Sequence, residues 1–161
     1  FMEGQEGPKM KGKLQLKGDR YRIELSDRII YCDGSTLWDY LKADQEVNVS
    51  NYDPETGLSP DRMFRLSTQD HRVRYDGTDK VSGRKVHKLS LFPLTDELDY
   101  FQIDLYLDAK DELPRKMRIR NRNGSFVTFS ITKVSLNNNL KDATFRFQPA
   151  QHPGVEVIDL R

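Results

Sequence analysis

From Tyr100 to Asp108 the side chains alternate without a break, Phe101, Ile103, Leu105 and Leu107 against Gln102, Asp104, Tyr106 and Asp108. A period of two is the repeat of a β-strand that turns one face to a core and the other to water. The same period recurs along most of the chain. Leu14 and Leu16 alternate with Lys13, Gln15 and Lys17, and Tyr21, Ile23 and Leu25 with Arg20, Arg22 and Glu24, around a turn at Gly18-Asp19. A second hairpin runs from Ile30 to Val47 through Asp33-Gly34, with Trp38 and Tyr40 on one face, and Val47 and Val49 then share a side. Val73 and Tyr75 lead to an expected turn at Asp76-Gly77, and Val86, Leu89 and Leu91 follow in a strand that stops at Pro93. Met117 and Ile119 alternate with Arg118, Arg120 and Arg122 before the hairpin dipeptide Asn123-Gly124, and Val127, Phe129 and Ile131 return. Phe145 and Phe147 precede a tail punctuated by Pro153-Gly154. The class is mainly β, with about ten short strands. Such a meander closes as a barrel, splits into a sandwich or curls as an incomplete barrel, and periodicity does not choose among these.

The chain has 161 residues, the size of one domain. Lys and Arg number 26 against 25 Asp and Glu, a net charge of +1 that argues against a nucleic-acid partner. Apolar residues make 36% and charged residues 32%, which suits an open sheet with one wet face. The single cysteine, Cys32, excludes an intramolecular disulfide and reads as a small buried hydrophobe. His71, His87 and His152 lie far apart without ligand spacing, so no metal site is expected. No nucleophile elbow, phosphate loop or dinucleotide fingerprint occurs, and the carboxylate pairs Asp96-Glu97 and Asp111-Glu112 sit in turns. Neither an enzyme nor a cofactor is expected. No apolar run is long enough to span a membrane and no signal peptide is visible; the start at Phe1 reads as processed, truncated or incompletely ordered. The row Arg118, Arg120, Arg122 reads as the wet face of a strand, paired with Asp104 and Asp108 across the ladder; its functional alternative is an anionic headgroup or membrane surface.

Between Asn51 and Asp70 the alternation stops. Asp53-Pro54 and Gly57 are loop residues, and Ser59-Pro60-Asp61 has the order of a helix start. Met63, Phe64 and Leu66 give that short helix an apolar edge. Spacing alone favours a connector packed on the sheet over a lid above an apolar cavity.

The motif D-G-x-x-L-W-x-Y at Asp33 to Tyr40, followed by a polar turn and Val47, resembles the LolA-like periplasmic carriers of outer-membrane lipoproteins. The likeness continues through Gly12 to Leu25, Val81 to Pro93 and Asp108 to Met117, and ends with Phe145 to Asp159, so it covers nearly the whole chain. It implies a single carrier-like domain over residues 1–161, a curved antiparallel sheet forming an incomplete, half-open β-barrel with short lid helices. The segment from Ser59 to Leu66 becomes the lid. The implied activity is to bind acyl chains of lipoproteins or other lipids in an apolar cavity and carry them from inner to outer membrane. The implied partners are an inner-membrane lipoprotein-releasing transporter and an outer-membrane acceptor; the implied place is the periplasm and the implied state a monomer. The expected cavity residues are Leu14, Leu16, Tyr21, Ile23, Leu25, Trp38 and Tyr40, with Met63, Phe64 and Leu66 on the lid. Two features depart from the family pattern. Its Arg-Pro pair at the first turn is here Lys17-Gly18-Asp19, which moves the latch to Lys17 or Arg20 or removes it, and the family's N-terminal helix is missing. A sensor of lipid or lipoprotein that regulates a membrane partner is the alternative on the same fold, and a β-sandwich without a cavity is a further one.

Overall fold

The structure is a computed structural model that describes residues 9–54, 69–136 and 138–161. These residues hold eleven strands in two compact units, 9–54 with 138–161 and 69–136. In the first unit β1 (Lys13–Lys17), β2 (Arg20–Glu24), β3 (Arg28–Cys32), β4 (Thr36–Leu41) and β5 (Glu46–Asn51) pair in order as an antiparallel meander. In the second, β6 (His71–Val81), β7 (Arg84–Pro93), β8 (Tyr100–Asp108), β9 (Pro114–Asn121) and β10 (Phe126–Ser130) do the same. The last strand, β11 (Glu156–Asp159), returns to the first sheet and lies parallel to β5. Neither sheet closes on itself among the described residues. The mainly β class therefore holds, with a six-stranded and a five-stranded sheet. The expected lid at Ser59 to Leu66 lies outside the described residues.

The core of the first unit follows from its register. Tyr31 stands opposite Trp38 and Trp38 opposite Val49, while Ile29, Tyr40 and Val47 form the neighbouring row on the same face. Over these rows lies the C-terminal segment, which carries two short 3-10 turns, Asp142–Phe145 and Pro149–Gln151. Phe147 meets Tyr31 edge-on at 6.0 Å between ring centres and Tyr40 at 5.5 Å, and His152 stacks on Phe147 at 5.0 Å. Ile29, Tyr31, Val47 and Phe147 are buried, with Trp38, Tyr40 and Val155 packed around them.

Polar contacts pin the segment at its other end. Arg20 pairs with Asp142 at 2.5 Å, and Lys17 donates to the same carboxylate and to the Leu140 carbonyl. Hydrogen bonds from Arg20, then Lys17, hold the Asp142 carboxyl below its ordinary range. The cations at the first turn thus hold the C-terminal segment. Arg146 reaches Asp33 at 3.1 Å in the β3–β4 turn. Burial pulls the Asp33 carboxyl up, but hydrogen bonds from the Thr36 and Ser35 amides outweigh it and leave it lowered.

Asp76-Gly77 does not make the expected turn. β6 runs straight through it, and the register against β7 shifts between Tyr75 and Thr78. Gly77 has φ +92°, and a glycine in that region allows a β-bulge where another residue would be strained. The hairpin closes instead at Ser82 and Gly83, both with positive φ (50° and 77°), as a two-residue turn requires. The Asn123-Gly124 turn stands where the sequence puts it, between β9 and β10, with Gly124 at φ +85°.

Candidate apolar binding face

Register in the second unit assembles two apolar rows across all five strands. Val73, Leu91, Ile103, Ile119 and Val127 make one, and Tyr75, Leu89, Leu105, Met117 and Phe129 the other. Each strand contributes through its period-two alternation, and the unshifted parts of the ladders bring the contributions into line. Leu91, Ile103, Met117 and Ile119 are buried, and Leu89 and Leu105 half-buried. The ends of the rows are open, with Val73 39%, Tyr75 58%, Val127 46% and Phe129 41% exposed. At ~4.8 Å per strand the rows run roughly 19 Å from edge to edge, with their middles buried and their ends open.

The opposite face of that sheet is charged. One row reads Arg74, Ser90, Asp104, Arg118, Thr128, and the next Lys88, Tyr106, Lys116, Ser130. Asp104 is buried, paired with Arg120 at 2.8 Å and hydrogen-bonded by Gln102 at 2.6 Å. Asp76 accepts from Arg74 at 2.6 Å and from the Ser90 hydroxyl, which together hold its carboxyl below the ordinary range. Arg118 instead donates to the Thr128 hydroxyl and lies over the Phe126 ring, and Arg122 binds Asp96 and the Leu98 carbonyl. The expected pairing of the arginine row with Asp104 is thus made by Arg120.

The expected pairing of that row with Asp108 is not made. A register shift between Tyr106 and Leu107 ends the regular ladder there. Asp108 accepts instead from the Lys110 amide, from Arg84 at 3.2 Å and from Arg115 at 3.1 Å. The amide hydrogen bond is the largest stabilising cause, the two arginines add to it against burial, and the carboxyl falls to about 2.

The sequence-read cavity residues do not share one surface. Leu14 stands opposite Ile23 and Leu16 opposite Tyr21, on the face that continues through Ile30, Cys32 and Leu37. Leu25, just past β2, touches the backbone side of Gly12 closely enough that a Cβ there would meet Leu25 Cδ2 at 2.7 Å. Trp38 and Tyr40 are on the other face, beneath Phe147. Met63, Phe64 and Leu66 lie outside the described residues. Leu14 is 37% exposed and Leu16 and Ile23 half-buried, whereas Tyr21 and Cys32 are buried, the latter as a small buried hydrophobe should be. The two rows of the second sheet were visible in sequence as alternation, but not as a site, because register across strands is needed to align them.

The histidines each pair with aromatics. His71 hydrogen-bonds Tyr100 at 2.9 Å, His87 hydrogen-bonds Tyr75 at 3.0 Å, and His152 packs on Tyr40 and Phe147. Among the described residues no group of three His, Cys, Asp or Glu side chains could hold a metal, and no helix is long and apolar enough to cross a membrane.

Two open sheets, each with a leucine- and isoleucine-bearing face, define a sheet-built binding module. The chain belongs to the family of the outer membrane lipoprotein carrier protein LolA, whose model matches residues 2–148. A crystal structure of an uncharacterized conserved protein from Thermus thermophilus is similar in fold, with a TM-score of 0.60 at 13% identity over 93% of this chain and 82% of that one. A LolA superfamily protein from Nitrosomonas europaea aligns more loosely, with a TM-score of 0.37 at 13% identity over 73% of this chain and 58% of that one. An uncharacterized protein from Methanocaldococcus jannaschii is 24% identical over 84% of this chain, which spans 39% of that relative's length.

Proposed function

We propose that this chain is a periplasmic carrier that binds the acyl chains of lipoproteins, or of other lipids, and ferries them between membranes. The observation that carries the reading is the pair of aligned apolar rows on β6–β10 with exposed ends. Membership of the lipoprotein carrier family supports the cargo class. The whole chain acts as one carrier domain, with an inner-membrane releasing transporter and an outer-membrane acceptor as its partners.

A surface of this kind needs no polar anchor. Covering about ten methylenes contributes ~8 kcal/mol at ~0.8 kcal/mol each, before the cost of ordering the ligand, and this places affinity no tighter than about micromolar. Affinity of that order permits release, which a carrier requires. Leu14, Leu16, Tyr21 and Ile23 supply a second apolar surface on the first sheet, and Met63, Phe64 and Leu66 the lid.

The test is titration with a fluorescent fatty-acid analogue. Tyr75→Asp and Phe129→Asp place a charge at exposed ends of one row, where folding tolerates it. Each should weaken binding at least tenfold with thermal stability little changed. Unchanged affinity in both would contradict the assignment of this face.

A further inference from the structure

We infer that the charged face of the β6–β10 sheet docks on the surface of an anionic phospholipid bilayer. Six cations gather there, Arg72, Arg74, Lys88, Lys116, Arg118 and Arg120, and the carboxylates Asp76, Asp104 and Asp108 on this face are already engaged, the last by Arg84 and Arg115. Asp76 is held by Arg74 and Ser90, and Asp104 by Arg120 and Gln102. Asp79, past the bulge, stands opposite Val86 in the row next to Lys88 and is the remaining carboxylate of this face among the described residues. Arg72, Lys88, Lys116 and Arg118 make no ion pair within 4.0 Å among the described residues, and Lys88 acts on Asp76 only from a greater distance.

Those four cations are arranged on aromatic rings. Lys88 and Lys116 flank Tyr106 from the two neighbouring strands, with Nζ 5.8 and 5.3 Å from the ring centre. Arg118 lies 4.8 Å over Phe126, and Arg72 lies 5.2 Å over Phe92 with Arg74 on the same ring at 5.3 Å. A cation over a ring keeps its full charge, so the stack positions the positive groups without neutralising them. The rings themselves are half-buried on a wet face. Cations without a direct ion pair beside aromatic rings match the headgroup zone of an anionic bilayer, where phosphates meet the charge and amphipathic or apolar rings settle at the interface. An acidic protein would satisfy the cations and leave Phe92 and Phe126 without a role.

This surface is the reverse of the apolar rows, so the inference does not rest on acyl-chain uptake. The experiment is flotation of the whole chain with vesicles of phosphatidylcholine alone or with phosphatidylglycerol added, at low salt and at roughly 0.5 M salt, where screening is nearly complete. The protein should float with the phosphatidylglycerol vesicles only, and added salt should release it. Lys88→Glu with Lys116→Glu should lower partitioning by roughly 30-fold or more, at about one fivefold step per cation removed. Lys88→Gln with Lys116→Gln serves as the milder variant if the first fails to fold. The Tyr75→Asp variant should float as the parent does. Equal flotation with neutral vesicles, no flotation at low salt, or capture by polyglutamate without flotation would each overturn the inference.

Discussion

Asp108 gathers three donors on one carboxylate, the Lys110 amide and two arginines from β7 and β9. Its acidity in the folded chain, about 2 against an ordinary 3.8, sets a pH window. A carboxyl depressed by folding stabilises the fold above its unfolded value, and that contribution is lost as pH falls from about 4 towards 2. The urea midpoint of the parent should therefore drop across that window. Asp108→Asn should start lower at neutral pH and drop less over the same window; parallel curves would contradict the assignment. Sequence pointed to the wrong partners here. Alternation placed Asp108 opposite the arginine row, and only the shift after Tyr106 hands it to Arg84 and Arg115. Cys32 was legible from the general tendency of cysteine to be buried, and the pairing of Asp104 with the arginine row from alternation, although register sets Arg118 opposite Asp104 and the diagonal neighbour Arg120 makes the pair.

Strand identity was legible wherever period two was unbroken, as in β8 and β9. Element ends were harder. Asp76-Gly77 has turn chemistry, yet the same positive φ serves a bulge inside a long strand, and sequence does not separate the two uses. The parallel strand β11 could not be read either, since Val157 and Ile158 show no partner until β5 is seen beside them. The C-terminal segment, which sequence shows as two phenylalanines, a punctuated tail and a match to the family's closing segment, proves to be the cover of the first sheet's core. Phe147 touches Tyr31, Tyr40 and His152, and its removal leaves a cavity under the segment. Phe147→Ala should cost about 3–5 kcal/mol in chemical denaturation. A loss under about 1 kcal/mol would mean that the segment is not part of the core.

At the scale of the molecule, the family likeness was legible because ordered motifs from Gly12 to Asp159 carry it, and the family match over residues 2–148 bears it out. The proposed binding face was less so. Trp38 and Tyr40 drew attention as rare aromatics, but they belong to a face already occupied by Phe147, while the aligned rows of β6–β10 lie in strands of common aliphatic residues. The central claim is that this chain carries lipid, and mass spectrometry of an organic extract from protein purified without detergent tests it most directly. Acylated peptide or phospholipid at near-stoichiometric amount is the expected result. An empty extract, with no uptake of an apolar fluorescent probe by the same sample, would contradict the carrier reading.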